Sequence, residues 1–167
     1  MAIRTAASFY DTMSTEEICN LPIQQIADNN CILFLWVTSP LLPEGFKVIE
    51  RWGFKYKTIG FTWIKTYGSG ALFNGMGHYT RPSTELCLLA TKGSLKRLDK
   101  SVYQVYVGLI GKHSTKPPEI RNRIVDLFGD LPRIELFART KSLDWDVWGN
   151  EIDQKHPQEF KGLELFI

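Results

Sequence analysis

The chain has few cysteines and no long apolar run. Cys19, Cys31 and Cys87 are its only thiols, none in Cys-x-x-Cys spacing and each in or beside an apolar stretch. That excludes a disulfide framework and a zinc site, and it predicts reduced thiols in a cytoplasmic setting. No segment approaches the ~20 apolar residues of a membrane span, and the opening "MAIRTAASFYDTMS" lacks the apolar region of a secretion signal. No membrane role is expected. Glycines occur, but no Gly-Lys-Ser or Gly-Lys-Thr follows them, so a phosphate loop is excluded. Net charge is also small, at +2.

What charge there is lies unevenly. Residues 92–123 carry eight basic side chains, Lys96 and Arg97 among them, against Asp99 and Glu119, whereas residues 141–167 carry three basic against six acidic. The basic segment suits either a polyanion touching one face or a solvated lysine-rich surface.

With 167 residues the chain fits one domain, large enough to bury roughly 70% of its unfolded surface. "STEEI" has capping-box form, with Ser14 as N-cap and Glu17 at N3. "CILFLWV", 31–37, reads as a strand covered on both faces. "PEGFKVIERWG" predicts a helix over about 42–52, with Phe46, Ile49 and Trp52 inward and Gly53 as its stop. "YKTIGFTWIKT" and "ELCLLATKG" follow as strands, so the order is that of an α/β sheet.

Between those strands, "YGSGALFNGMGHYTRPSTE" (67–85) has neither helical nor alternating period, the mark of a functional loop. Its Phe73, Tyr79 and Arg81 are groups that stack on or clamp a nucleobase, or that pack back onto the sheet. "HSTKPPEIRNRIVDLFGD" predicts a helix capped by Ser114 or Thr115, with Ile120, Ile124, Leu127 and Phe128 in the core and Gly129 as terminator. Lys116 at its start opposes the helix dipole, and it is better understood facing a bound carboxylate or phosphate. "RIELFA", 133–138, reads as a strand, with Arg139 and Lys141 emerging at its carboxyl end, where α/β sheets bind ligands. Asn150 and Glu151 are candidates for hydrogen bonds to ribose hydroxyls, although Asn after Gly is also ordinary turn chemistry.

The ordered segments "SFYDTMSTEEICNLPIQQIADNNCILFLWVTSPLLPEGFKVIERWGFKYKTIGFTWIKT", "GMGHYTRPSTELCLLATKG", "HSTKPPEIRNRIVDLFGDLPRIELFAR" and "DVWGNE" resemble the S-adenosylmethionine-dependent adenine methyltransferases related to the seventy-kilodalton subunit of the mRNA adenosine methyltransferase, most of all their bacterial and phage DNA branch. The resemblance implies a Rossmann-like methyltransferase sheet with helices on both faces, over a domain of residues 1–152 followed by a tail, 153–167. It implies methyl transfer from S-adenosylmethionine to the exocyclic amine of adenine, in DNA ahead of RNA. Carried over by position, Phe137 would pack on the adenosyl group and Arg139 and Lys141 would line the ribose side. Asn150 and Glu151 would hold the ribose, and Lys116 would meet the methionine carboxylate. The family usually has His at position 141, and Gln is also found at 151. The loop with Phe73, Tyr79 and Arg81 would form part of the target-base pocket, with Glu85 at its edge. Independently of the resemblance, if the basic segment 92–123 lies along a nucleic acid, Lys96 and Arg97 would meet it.

One departure stands out. The family's catalytic Asp-Pro-Pro-Trp lies upstream of the segment that begins here near Ala6, and no Asp-Pro-Pro occurs in the chain. No catalytic residue is therefore assigned. Asp11 is the nearest carboxylate and lacks the following prolines. The expectation is an N-terminally truncated or split enzyme, inactive alone, whose missing part lies in another polypeptide or in mis-annotated upstream sequence; the alternative is a non-catalytic nucleic-acid-binding or partner subunit. The family's motif strand would lie between strands 31–37 and 133–138, so a vacant slot is expected there. The ending "LELFI" reads equally as a terminal strand or a partner-docking peptide.

Overall fold

The capping box closes the first helix as its sequence dictates. The Ser14 side chain accepts from the Glu17 amide, and the Ser14 amide donates to the Glu17 carboxylate at 2.7 Å, which starts α1 (Thr15–Cys19). In the computed structural model, residues 12–111, 115–149, 152 and 163–166 are described. A one-turn α2 (Ile23–Ile26) runs directly into β1 (Ala27–Val37), and a 3-10 turn leads to α3 (Leu42–Arg51). Gly53, with φ 81°, ends that helical region.

The inward face of α3 differs from the expected one. Gly45, Val48 and Ile49 are buried with Trp52 just beyond, at i, i+3, i+4 and i+7, and the Trp52 indole donates to the Ile18 carbonyl at 2.9 Å. Phe46 lies one position round the helix, 42% exposed, with its ring edge-on to Tyr56 at 5.0 Å.

Four further strands and a helix follow before the C-terminal region: β2 (Lys55–Thr66), β3 (Thr84–Lys92), β4 (Val105–Leu109), α4 (Pro118–Phe128), β5 (Arg133–Leu136) and then β6 (Asp146–Trp148), with β7 (Leu163–Phe166) last. Among the described residues they form one sheet ordered β4-β2-β3-β1-β7-β5-β6. β3 is antiparallel to β1 and β2, and every other pairing is parallel, so the architecture is mixed α/β. β1 is covered on both sides, as its unbroken apolar run requires. Cys31, Leu33 and Val37 pack with Val48, Ile49 and Trp52, while Ile32 and Phe34 pack with Ile120, Ile124 and Phe128. Each fully buried side chain of this kind contributes roughly 1.5–3 kcal/mol.

Three boundaries need correcting. α4 is capped by Pro117 without a side-chain bond, not by Thr115, because Pro118 occupies its first position; Ser114 lies outside the described residues. The strand of "RIELFA" stops at Leu136, since Phe137 turns out of the sheet with φ 59°. The slot between β1 and β5 is not vacant. β7 lies in it parallel to both, Leu165 opposite Ile32 and Arg133, and Phe166 opposite Leu33 and Ile134. Two facing edges of unpaired amides and carbonyls are costly to leave open, and "LELF" closes them as a strand of the same sheet.

Candidate cofactor cavity

The described pairs of β7 stop at Leu33 on one side and Ile134 on the other. Beyond them, among the described residues, β1 and β5 continue without a strand between, and a cavity of about 320 Å³ opens there, walled by Phe34, Leu35 and Trp36 from β1 and by Glu135, Leu136 and Phe137 from the β5 side. It lies at the carboxyl ends of parallel strands, and its volume is in the range of small-molecule sites, ~300–1,000 Å³. Lys116, Arg121 and Arg139 complete the wall.

The β5 side of the cavity has a strained backbone. Phe137 takes a left-handed conformation that L residues adopt only when their surroundings impose it, and its ring stays 44% exposed at the cavity wall. Directly after it the Ala138 amide donates to the Trp148 carbonyl at 2.9 Å. Gly149 packs so closely on Ala138 that a Cβ there would lie 2.7 Å from the Ala138 nitrogen. The turn is thus held from both sides.

Among the described residues, two ion-pair systems border the cavity. Arg121 of α4 donates through Nε to Glu135 of β5 at 2.8 Å, tying helix to sheet. Glu85 at the start of β3 is buried and takes two lysines, Lys116 Nζ at 2.7 Å on Oε2 and Lys65 of β2 on Oε1. Burial by itself pushes the Glu85 carboxyl up, but Lys116 and then Lys65 outweigh it and hold it below the ordinary carboxylate range. The Lys116 ammonium also stands 5.8 Å from the Trp36 ring centroid. Trp36 Nε1 is buried without a hydrogen-bond partner, an unused donor on a residue of the wall. A cation, an exposed aromatic face and an unmet donor suit a ligand that combines an anionic group with a planar heterocycle. S-adenosylmethionine has both.

The expected cofactor residues are partly gathered. Lys116, Phe137 and Arg139 line the cavity. Lys141 is exposed beyond its mouth, and Asn150 and Glu151 lie outside the described residues, as does Asp11. Among the expected substrate residues, Glu85 joins the cavity through Lys116, and Phe73 stands 5.9 Å from Lys65 Nζ, with its ring edge-on to Tyr67. Tyr79 is fully exposed, and Arg81 bends back toward the Gly75 carbonyl at 3.5 Å. Lys96 and Arg97 are at the other end of the sheet. β1 pairs Val37 with Leu86 near the cavity and Cys31 with Lys92 away from it, about 20 Å apart at ~3.3 Å per residue, and the segment after Lys92 bonds to the last turn of α4 through Leu98 and Leu127. The basic run therefore does not form one face.

Sequence reading missed Lys65, Trp36, Arg121 and Glu135. Lys65 and Glu85 had a signal, each being a charge at the end of an apolar strand. Arg121 and Glu135, 14 residues apart on a helix and a strand, had none.

Compared with known proteins, residues 1–151 match the MT-A70 family model. The chain belongs to the MT-A70 family. It is 37% identical over 151 residues to the type II methyltransferase M.MunI of a Mycoplasma species, covering 89% of this chain and 62% of that one. It is 29% identical over 152 residues to the human N(6)-adenosine-methyltransferase catalytic subunit METTL3, covering 88% of this chain and 26% of that one. A third relative, the N6-adenosine-methyltransferase non-catalytic subunit MTB of Arabidopsis thaliana, is 37% identical over 87 residues, 49% of this chain and 11% of that one. The match thus spans about three-fifths of the bacterial relative and a quarter of the human one.

Proposed function

We propose that the cavity binds S-adenosylmethionine and that the chain serves methyl transfer to the exocyclic amine of adenine in DNA. The observation that carries this reading is the meeting of Lys116, Phe137 and Arg139 on one cavity at the carboxyl ends of β1 and β5. These are three of the positions to which the family resemblance assigns cofactor contacts. Parallel β1, β7, β5 and β6, with β3 reversed beside them, support a Rossmann-like methyltransferase sheet. The higher identity to the Mycoplasma methyltransferase than to the human adenosine enzyme favours DNA over RNA.

The bound cofactor would supply an electrophilic methyl group. Lys116 would neutralise its carboxylate, Phe137 would offer a ring to its adenine, Arg139 would border the ribose, and Trp36 Nε1 would find its acceptor. The remaining requirement is on the substrate side. An adenine amine is a poor nucleophile because its lone pair is delocalised into the ring, and it needs oriented acceptors for its N–H bonds. The family supplies them from Asp-Pro-Pro-Trp, which this sequence does not contain.

The test is a transfer assay with labelled S-adenosylmethionine and unmethylated DNA. These 167 residues are expected to bind the cofactor without labelling adenine, and labelling is expected once the motif is supplied, on the same chain or on a second one. Absence of cofactor binding overturns the reading, and labelling without the motif overturns the need for it. The likeness to the non-catalytic subunit MTB favours a second reading as a partner subunit. That reading predicts no cofactor binding with or without the motif.

A further inference from the structure

Lys65 is not on the cavity wall and has no role in the reading above, yet five interactions run through it. Its amide donates to the Ser83 carbonyl at 2.7 Å and its carbonyl accepts from the Phe73 amide at 2.9 Å, so both flanks of the glycine-rich loop are fastened to one residue. Ser83 Oγ donates to the Phe73 carbonyl at 2.7 Å and completes the fastening. The side chain turns the other way, to Glu85, with its ammonium 5.0 Å from the Trp63 ring centroid and 5.9 Å from that of Phe73.

Glu85 has one oxygen on each lysine, and its side chain is only 9% exposed. A buried carboxylate with one counter-ion holds that counter-ion fast, because losing it leaves a bare buried charge. With two, either can leave. We propose that Lys65 is a positioning residue for Lys116: by compensating Glu85 from the loop side, it lets the Lys116 ammonium move from Glu85 to an anionic group bound in the cavity. The inference rests on the reading of that cavity as the S-adenosylmethionine site. It makes the loop's fastening point and the cavity's lysine parts of one charge balance.

Among the described residues, the charged groups that act on Glu85 come from two places, Lys116 from the segment before α4 and Lys65 from β2. On β3 itself, Cys87 is fully buried and burial pushes its thiol well up, so it stays neutral. Across the cavity, Glu135 is occupied by Arg121.

The experiment titrates S-adenosylmethionine into the full chain by calorimetry, for wild type, Lys65→Met, Lys65→Arg, Glu85→Gln and the Lys65→Met/Glu85→Gln double variant. Near pH 8, Lys65→Met is expected to weaken binding by about tenfold, since Lys116 becomes the only counter-ion of Glu85. The loss is expected to shrink as pH falls toward the ordinary carboxyl range, because Glu85 with one counter-ion takes a proton more readily and a neutral Glu85 releases Lys116. Lys65→Arg should follow wild type, and in the Glu85→Gln background Lys65→Met should cost nothing. An equal loss at both pH values, an equal loss in the Gln background, or no loss at all overturns the inference. Should Lys65→Met fail to fold, Glu85→Gln decides: freed Lys116 should bind at least as tightly as in wild type, and looser binding overturns the inference. A wild-type chain that takes no cofactor overturns the functional reading, and the inference with it. If wild type binds and Lys116→Gln weakens it while Lys65→Met does not, the inference alone fails.

Discussion

Phe137 and Trp148 meet edge-on with ring centroids 5.4 Å apart, a contact made possible by the left-handed backbone at Phe137, which turns the chain out of β5 where β6 ends. The strain and the ring contact oppose one another in stability, and both serve the same wall of the cavity. Phe137→Gly should relieve roughly 1–2 kcal/mol of backbone strain and lose an aromatic contact of ~0.5–1.5 kcal/mol. Denaturant unfolding is therefore expected to move by no more than about 1 kcal/mol, while S-adenosylmethionine affinity falls by about tenfold or more. A large loss of stability with unchanged affinity would assign Phe137 to the core instead.

Gly149 presents the contrasting case, where sterics leave no freedom. A Cβ at that position meets the Ala138 backbone, whose amide bond to Trp148 links β5 to β6. Gly149→Ala should cost about 2 kcal/mol or more in urea unfolding, whereas Gly68→Ala, with nothing within 4 Å of its Cβ, should stay within about 0.5 kcal/mol. Equal effects at the two sites would contradict the packing at Ala138.

How much of this was legible depends on the range of the interactions. Ser14 and Glu17, three residues apart, announced their helix, and the unbroken run at 31–37 announced a strand covered twice, because local chemistry and period determine both. Phe46 was misplaced by a single step of the helix, since three-residue spacing fits two adjacent faces. Lys116 was marked by its place at a helix start, Arg139 by the end of a strand and Phe137 by family resemblance, and the fold brings them together. Lys65 joins that group only through a shared carboxylate 20 residues away, and Lys96 and Arg97 leave it because the sheet carries the chain to its other end before α4 returns. The placing of β7 was half visible. "LELFI" reads as a strand, but no local pattern says between which neighbours.

Acid stability should depend on Glu85. Its folded pKa lies below the unfolded value, so its contribution is fully present above the ordinary carboxyl range and is lost as pH falls through the folded value. Thermal unfolding across that range should show a smaller drop for Glu85→Gln than for wild type. An identical acid slope in the two proteins would mean that the lysines do not hold the carboxylate charged.

Salt dependence separates the two basic regions. DNA engaged at the cavity end would meet Arg81 and Lys141 and would pass Lys96 and Arg97 by. Charge reversal of Arg81 and Lys141 should reduce the slope of log affinity against log salt by roughly 2, at ~0.9 per phosphate contact, and reversal of Lys96 and Arg97 should leave it unchanged. The opposite pattern would put the nucleic acid at the far end of the sheet.

The most direct measurement is amide hydrogen exchange of the chain with and without S-adenosylmethionine. Protection on binding should concentrate in residues 34–37, 115–118 and 135–140, the segments that wall the cavity beyond the described pairs of β7. Residues 93–100, at the other end of the sheet, should exchange at the same rate in both states. Protection confined to other segments, or none at saturating cofactor, would contradict the assignment of this cavity as the methyl donor's site.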